Sequence, residues 1–261
     1  MFQLFRSIGT EVLDLIYPSD IYCISCGKII DNSRTYRLCD DCMKGVKWAI
    51  GRTCDKCGKP LSDNNPMTTC FNCREHQHNF DKGYTCAEYG THERAMVFAL
   101  KYDARTDIAG TIGEMMYDRM LVDFESAELR SRYDIICPIP VHIERRRKRG
   151  YNQAALIAEE FAKRSGVTYS GELLNRVHQT SAMKSMTPGE RVENIRNAFE
   201  VRKACLGKIE GARILIIDDI YTTGSTVDEA ASLLKQNGAK ETDFLSFASG
   251  ADVFKTSDNL S

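Results

Sequence analysis

The stretch that decides the fold runs from Arg213 to Thr226 and reads Arg-Ile-Leu-Ile-Ile-Asp-Asp-Ile-Tyr-Thr-Thr-Gly-Ser-Thr. Its four consecutive apolar residues, 214–217, are mostly β-branched, which is typical of a strand buried on both faces of a parallel sheet. Two carboxylates, Asp218 and Asp219, stand where the strand should end. A hydroxyl-rich turn follows, and residues 227–237 then have the apolar face of a helix. The stretch therefore predicts a strand, a polar turn and a helix.

This turn has the groups needed to bind a phosphorylated ribose. The start of a helix offers unpaired N–H groups and the positive end of a dipole, which favour a phosphate. The adjacent carboxylates can accept hydrogen bonds from ribose hydroxyls or hold a divalent cation. The alternative is an ordinary buried strand with a polar turn, but it leaves two acids and four hydroxyls in one turn unexplained. The residues that we assign to the 5-phosphate are Tyr221, Thr222, Thr223, Gly224, Ser225 and Thr226.

Composition limits the classes of protein that fit. The chain has 261 residues, of which 43% are hydrophobic, and a net charge of −1 from 35 basic and 36 acidic side chains. One or two domains with a sizeable core are expected, and no global charge points to nucleic acid. No apolar run approaches a membrane span and no signal pattern opens the chain, so we expect a cytoplasmic protein without membrane insertion. An amphipathic helix is predicted over 3–16, and we expect it to pack on the rest of the protein.

Eight of the eleven cysteines form an internal repeat of C-x-x-C pairs. Every cysteine of the second set lies 31 positions after its counterpart, and Cys26-Gly27-Lys28 recurs as Cys57-Gly58-Lys59. In a cytoplasmic protein this pattern indicates metal rather than disulfides. We predict two structural zinc ions, each held by four thiolates with no open position for catalysis. The predicted ligands are Cys23, Cys26, Cys39 and Cys42 for one ion, and Cys54, Cys57, Cys70 and Cys73 for the other.

The repeat predicts a double zinc ribbon, which together with the N-terminal helix occupies residues 1–80. Zinc would fold this segment, which is too small for a core of its own. Sequential pairing of the C-x-x-C units is the favoured arrangement, but spacing alone also permits an interleaved one in which the first and third units share an ion. The pattern leaves equally open whether the module binds a partner or nucleic acid, or only braces its neighbour.

An α/β pattern begins near residue 81 and continues to about 250, with a C-terminal tail over 251–261. A short strand over 87–89 and helices over 95–102 and 108–120 are predicted first. A second buried strand over 133–137 then leads into residues 142–149, which carry five basic side chains and one acid. We interpret 142–149 as a loop that binds an anion, followed by a helix over 154–165. A solvated basic loop is the alternative.

Residues 213–226 closely resemble the phosphoribosyl-pyrophosphate (PRPP) motif of type I phosphoribosyltransferases. In that family the two acids hold the ribose hydroxyls and the next turn wraps the 5-phosphate. The resemblance implies a mostly parallel sheet flanked by helices with a flexible hood, Asp218 and Asp219 as the catalytic residues, and Mg²⁺ bound with PRPP. It also implies that basic residues meet the pyrophosphate, namely Lys101, Arg145, Arg146, Arg147, Lys148, Arg149, Lys184 and Arg191.

The chain as a whole resembles the ComF family, and most closely its ComFC-type members. Leu-Lys-Tyr at 100–102, Pro-Ile-Pro-x-His at 138–142 and Arg-Gly-Tyr-Asn-Gln at 149–153 occur in the expected order before the acidic motif. Residues 178–191 resemble the hood of glutamine-PRPP amidotransferases, whose closure would exclude water; a plain surface loop is the alternative. The ComF family pairs a zinc ribbon with a phosphoribosyltransferase fold and is associated with natural transformation and incoming single-stranded DNA.

Two functions are therefore predicted. The first is phosphoribosyl (pentosyl) transfer, in which a nucleophile attacks the anomeric carbon of PRPP. The chain begins Met1-Phe2 instead of with a nucleophilic cysteine, which argues against glutamine amidotransferase activity. The alternative is a non-catalytic adaptor that grips single-stranded DNA with 142–149 and Tyr151 and uses the PRPP site only as a ligand pocket. A competence helicase or other DNA-uptake proteins are the implied partners.

Overall fold

The computed structural model of the chain describes residues 21–177 and 198–252. The predicted N-terminal helix, the hood with Lys184 and Arg191, and the tail beyond residue 252 lie outside the described residues. Within the described ranges, no helix combines the length and the apolar character needed to cross a membrane.

Nine helices and seven strands make up the described parts of the chain. The helices are α1 (Asp40–Gly45), α2 (Phe71–Glu75), α3 (Thr91–Tyr102), α4 (Ile108–Met120), α5 (Ser126–Arg132), α6 (Ile143–Arg149), α7 (Gln153–Ser165), α8 (Leu206–Ile209) and α9 (Ser225–Gln236). The strands are β1 (Gly83–Glu88), β2 (Ile135–Pro138), β3 (Thr168–Tyr169), β4 (Leu174–Arg176), β5 (Phe199–Val201), β6 (Arg213–Tyr221) and β7 (Glu241–Ser249). Short 3₁₀ turns lie at Thr35–Arg37 and Lys203–Cys205.

Five strands form one parallel sheet in the order β1-β7-β6-β2-β3. β4 and β5 form a separate antiparallel pair. The strand predicted over 214–217 belongs to β6, the central strand of the sheet, and residues 214–217 are all fully buried. Leu215 and Ile217 pack into one core with α3, α4 and α7, whereas Ile214 and Ile216 pack into a second core with α9. The predicted α/β class, a mostly parallel sheet covered by helices, is confirmed.

The prediction of a basic loop over 142–149 was wrong, because Ile143–Arg149 is helix α6. Its charges explain why it folds. Glu144 lies in the first turn and the basic residues lie in the last, which suits both ends of the helix dipole. Gly150 ends the helix in the left-handed conformation, with φ of 91°, and its N–H bonds the Arg146 carbonyl at 2.7 Å. A run of like charges can therefore still be a short helix when acid and glycine stand at its ends.

Other boundaries shift by a few residues. The strand expected over 87–89 begins earlier, at Gly83, and the helix expected from residue 95 begins at Thr91. The helix over 108–120 and the one ending at Ser165 match their predicted ends. The residues just before β1 and α3 show no strong apolar periodicity, so the sequence marks the first residue of each element poorly.

Candidate functional site

The cysteine repeat folds into two separate clusters of four sulfurs. Within each cluster all ligand atoms lie within 4.8 Å of one another. The pairing is sequential, so the interleaved alternative is excluded. The members are Cys23, Cys26, Cys39 and Cys42 in the first zinc ribbon (residues 23–42), and Cys54, Cys57, Cys70 and Cys73 in the second zinc ribbon (residues 54–73).

Both clusters have the dimensions that zinc needs. Four sulfurs at about 2.3 Å from a central zinc would stand about 3.8 Å apart in a tetrahedron. The Sγ–Sγ distance is 3.7 Å between Cys26 and Cys39, and again 3.7 Å between Cys57 and Cys70. A backbone N–H points at a sulfur in each ribbon, from Cys39 to Cys23 at 3.4 Å and from Cys70 to Cys54 at 3.3 Å. Four thiolates at this spacing fit a closed structural site.

The acidic doublet, Asp218 and Asp219, lies at the carboxyl end of β6, beside the end of β2. Asp219 is buried, and its Oδ2 pairs with the ammonium of Lys101 from the last turn of α3. Its Oδ1 accepts a hydrogen bond of 3.2 Å from the amide of Gln153, the first residue of α7. Asp218 is half-buried, and its Oδ1 accepts from the Asp219 N–H at 2.9 Å. Two helices thus fix one carboxylate of the pair and leave the other nearer the surface.

The two carboxyls differ in their electrostatics. Burial and the adjacent negative charge of Asp219 raise the pKa of Asp218 well above its usual range. Burial would also raise the pKa of Asp219, but the Lys101 ammonium and the Gln153 amide favour the anion and lower it. Asp219 and Lys101 therefore form a fixed ion pair, and Asp218 is the carboxyl whose charge a bound cation would alter.

The loop of residues 222–226, which is predicted to bind the 5-phosphate and is called the phosphate loop below, connects β6 to α9. Gly224 is the N-cap of the 12-residue helix α9 and has a left-handed φ of 89°. A β-carbon at this position would lie 2.8 Å from the hydroxyl oxygen of Tyr221, so only glycine fits. Thr222 is exposed, while Thr223, Ser225 and Thr226 are half-buried around the helix start. The loop thus presents hydroxyls and helix N–H groups at the same edge of the sheet as the acidic doublet.

Tyr221 lies under this loop instead of lining it. Its side chain is 1% exposed, and its ring stacks on Phe244 with centroids 4.6 Å apart. Phe80 meets the same ring edge-on at 6.2 Å. We therefore expect Tyr221 to support the loop through packing, with its backbone as the part nearest a ligand.

The predicted basic residues spread around α6. Residues 145–148 are exposed, while Arg149 is half-buried and pairs with the side-chain oxygen of Gln153. Its guanidinium also lies 5.7 Å from the ring centroid of Tyr102. Since neighbouring residues of a helix point in different directions, all five of these side chains cannot meet a single pyrophosphate.

Sequence reasoning did not assign two residues that the structure brings to the site. One is Gln153, the last residue of the quoted Arg-Gly-Tyr-Asn-Gln motif, which holds Asp219. The other is Arg176 in β4, which is half-buried and interacts electrostatically with Arg145 and Asp218. Burial and the Arg145 charge lower the pKa of Arg176, and the Asp218 carboxylate opposes them. The feature of the sequence that could have indicated a role for Arg176 is its position just before a long polar stretch.

Comparison with known proteins identifies both parts of the chain. A double zinc ribbon domain matches residues 12–74, and a phosphoribosyl transferase domain matches residues 148–252. DNA utilization protein YhgH of Salmonella typhimurium is 28% identical over 202 residues, covering 77% of this chain and 86% of that protein. Competence protein F of Haemophilus influenzae is 26% identical over 78% of this chain and 86% of its own length. Competence protein ComFC of Bacillus subtilis is 25% identical over 77% of this chain and 79% of its own length.

Among solved structures, the glutamine PRPP amidotransferase of B. subtilis, complexed with ADP and GMP, aligns with a TM-score of 0.36 and 16% identity. The alignment covers 57% of this chain and 30% of that enzyme, so the chain spans less than a third of its length.

Proposed function

We propose that this chain binds PRPP with Mg²⁺ and acts in DNA uptake. The premise is that it is a homologue of ComF-family competence proteins and joins a double zinc ribbon to a phosphoribosyl transferase domain. The observation that carries the ligand proposal is the convergence of the acidic doublet and the phosphate loop at one sheet edge. Homologues named for competence and for DNA utilization support the cellular role.

The phosphate loop would bind the 5-phosphate. Helix α9 directs its first unpaired N–H groups and its positive dipole end at the loop, which stabilises an anion there. The acidic doublet would accept hydrogen bonds from the two ribose hydroxyls. Because Lys101 and Gln153 already hold Asp219, that carboxylate need not reorganise when the sugar arrives.

Magnesium suits the charge of this site. Two carboxylates stand side by side, and of the described lysines only Lys101 forms an ion pair with them. Hard oxygen ligands such as the Asp218 carboxylate, together with phosphate oxygens of the substrate, are those that Mg²⁺ prefers. The ion would supply charge neutralisation at the leaving pyrophosphate.

In the enzymatic form of the proposal, a nucleophile bonds to the anomeric carbon while the bond to the pyrophosphate oxygen breaks. Arg176 interacts electrostatically with Asp218 and with Arg145, so both arginines are candidates to stabilise the departing anion. The chain's own contribution is to hold the ribose and spread the charge of the leaving group. The reaction class is pentosyl transfer, with the acceptor to be identified.

A single-stranded DNA adaptor is the second candidate, and an exposed aromatic pair favours it. Phe98 and Tyr102 on α3 are 50% and 65% exposed, with ring centroids 4.5 Å apart. Arg149 lies against Tyr102, at the end of the basic helix α6. Aromatic rings next to a basic strip are the usual means of binding a single strand. Tyr151, which the sequence suggested for stacking, instead donates its hydroxyl to the Leu100 carbonyl at 2.5 Å.

Calorimetry with Mg²⁺ and PRPP tests the ligand proposal. We expect wild type to bind and Asp218→Asn to lose about tenfold or more in affinity, the equivalent of one charged hydrogen bond. Glu128→Gln, an exposed acid on α5, is the charge-matched control and should bind as wild type does. Because the pKa of Asp218 is raised, it holds a proton at low pH that Mg²⁺ must displace, so affinity should rise with pH. Absence of binding by wild type would refute the proposal.

Two further measurements separate the candidates. Release of pyrophosphate with a panel of acceptor bases would establish turnover. Filter binding of single-stranded DNA across a salt series would test the adaptor, because phosphate contacts make affinity fall steeply with salt. Tyr102→Ala should weaken that binding about tenfold, the usual loss for one stacked base. Leu121→Ala, at an exposed apolar residue away from α6, should not.

A further inference from the structure

A residue of the second zinc ribbon that does not ligate zinc reaches directly into the phosphate loop. Asn72 lies between the ligands Cys70 and Cys73, and its Nδ2 donates to the backbone carbonyl of Thr223 at 3.1 Å. The same Nδ2 stands 3.3 Å from Nε2 of His78. The ribbon therefore holds the main chain of the loop at the residue before its glycine.

His78 continues this contact to the start of α9. Its side chain is 2% exposed, and its Nδ1 lies 2.6 Å from Oδ2 of Asp228, which is in the first turn of the helix. The Asn79 N–H donates to the other oxygen of Asp228 at 2.8 Å. The loop is thus held from both sides, at Thr223 and at Asp228, by one short segment that begins in a zinc knuckle.

A second contact comes from Lys59, in the other knuckle of the same ribbon. Its side chain is 6% exposed, and its Nζ lies 5.8 Å from the ring centroid of Tyr221, the last residue of β6. Since Tyr221 is the packed support of the loop, both knuckles of this ribbon touch the loop or its base.

The first ribbon supplies an internal comparison. Its residues Lys28 and Asp41 occupy the repeat positions of Lys59 and Asn72, 31 positions earlier. They pair with each other at 2.8 Å on the surface, with side chains 63% and 77% exposed. The zinc scaffold alone therefore does not explain where Asn72 and Lys59 point.

We propose that the second zinc ribbon is a positioning element for the phosphate loop, with Asn72 as the positioning residue. Zinc in that site fixes the knuckle 70–73, and the knuckle fixes the Thr223 carbonyl and so the direction of the loop amides. The part of this inference that concerns affinity for PRPP rests on the proposed function; the part that concerns loop order does not.

A reciprocal exchange tests the positioning. Asn72→Asp is nearly isosteric but removes the N–H donor and puts a carboxylate next to the Thr223 carbonyl, whereas Asp41→Asn makes the opposite change in the first ribbon. Hydrogen exchange of the amides of 222–228, followed by mass spectrometry on the full zinc-loaded chain, is the readout. We expect faster exchange in Asn72→Asp and wild-type exchange in Asp41→Asn. Unchanged exchange in Asn72→Asp, or equal acceleration in both, would overturn the proposal.

Zinc content and a milder variant distinguish a change confined to the loop from unfolding of the second ribbon. Both variants should retain two zinc ions per chain by metal analysis. If Asn72→Asp loses zinc, Asn72→Ala takes its place, because it removes the donor without adding a charge, and the same exchange criterion applies.

The affinity part uses calorimetry with Mg²⁺ and PRPP on the same proteins. Asn72→Asp should bind about tenfold more weakly than wild type, as expected for a lost hydrogen bond plus a repelled carbonyl. If wild type itself fails to bind, the proposed function fails while the exchange result still decides the positioning. If wild type binds and Asn72→Asp binds equally well, the affinity part of the inference fails and the proposed function stands.

Cadmium provides a second readout at the metal. With ¹¹³Cd in both sites, each ribbon gives its own resonance. Because coupling between the loop and the second ribbon must be reciprocal, adding Mg²⁺ and PRPP to wild type should shift the resonance of the second site alone. In Asn72→Asp that shift should shrink. Equal shifts at the two cadmium resonances would contradict the assignment to one ribbon.

Discussion

The first and second zinc ribbons share one internal design, but they dock on opposite faces of the central sheet. Cys23 N–H bonds the Lys28 carbonyl at 2.8 Å, and Cys54 N–H bonds the Lys59 carbonyl at the same distance. Yet Cys23, Cys39 and Cys42 of the first ribbon join the core formed with α3, α4 and α7, while the cysteines of the second join the core formed with α9.

The partners of the two ribbons differ accordingly. The first ribbon and the turn within it contact helices, with Tyr36 Oη donating to Asp118 at 2.7 Å and Ser25 Oγ 3.0 Å from His92 Nδ1. The second ribbon contacts β1 and the phosphate loop, with the Gly83 N–H bonding the Lys56 carbonyl at 2.8 Å. Metal ligands and knuckle backbone therefore set the fold of each ribbon, and the other side chains set where it docks.

Loss of a zinc ligand should have the largest effect, and it should be unequal between the ribbons. Cys57 is fully buried, whereas its counterpart Cys26 is exposed. We expect Cys57→Ser to lower the free energy of unfolding by about 4 kcal/mol or more, because it leaves an incomplete site inside the core. Cys26→Ser should cost clearly less. Thermal unfolding checks this, with metal analysis to count the zinc retained, and a larger loss from Cys26→Ser would contradict the comparison.

The glycines that follow these cysteines give a sharper contrast. Gly27 and Gly58 both have positive φ, 75° and 69°, so alanine costs roughly 1 kcal/mol of backbone strain at either. A β-carbon on Gly27 would meet nothing within 4 Å, whereas one on Gly58 would lie 2.6 Å from the Gly83 carbonyl oxygen. We expect Gly58→Ala to cost about 3 kcal/mol in total, since backbone cannot move aside easily.

Urea unfolding of both glycine variants measures the difference. The slope with denaturant should stay at the wild-type value, so that the shift in midpoint reports stability. Equal midpoints for Gly27→Ala and Gly58→Ala would mean that the second ribbon is not pressed against β1.

Elements whose signal is local were predictable from the sequence. The strand β6 is an unbroken apolar run, and the zinc clusters follow from the 31-residue period, because in both cases neighbours in sequence determine the outcome. Helix α6 differs from the predicted loop because a dense run of charge is typical of a loop, although Glu144 and Gly150 mark the two ends of this helix. The residues that mark the ends of a helix were therefore present in the sequence, but the density of charge outweighed them in the prediction.

Contacts between distant segments were not predictable. The resemblance predicts that Lys101 meets the pyrophosphate, and nothing in the sequence indicates that it also pairs with Asp219, which is 118 positions away in the chain. Likewise, the contact from Asn72 to Thr223 joins a zinc knuckle to a loop 151 positions later. The one clue in the sequence is that the repeat has Asp at 41 and Asn at 72, which removes the acid that would pair with Lys59. Such pairs depend on the packing of whole elements, which residue patterns do not encode.

Replacing the two corresponding lysines, Lys59 and Lys28, should again destabilise the protein more at the second ribbon than at the first, but by a smaller amount. Lys59→Ala removes a buried aliphatic stem and an ammonium lying over the Tyr221 ring, which together contribute about 1–2 kcal/mol. Lys28→Ala removes an exposed ion pair and should leave the unfolding midpoint unchanged. Urea unfolding compares them, and a loss from Lys28→Ala as large as that from Lys59→Ala would contradict the different placement of the two ribbons.

The smallest expected effect tests whether the two faces are independent. Tyr36 packs against Trp48, with ring centroids 5.6 Å apart, and donates to Asp118 on α4. Tyr36→Phe keeps the ring and removes one hydrogen bond, so stability should fall by about 1 kcal/mol. Hydrogen exchange at 222–228 should match wild type, because the first ribbon contacts the core on the other side of the sheet. If Tyr36→Phe accelerated exchange there as Asn72→Asp does, the loop would be responding to the stability of the whole protein, and the assignment of its order to the second ribbon would fail.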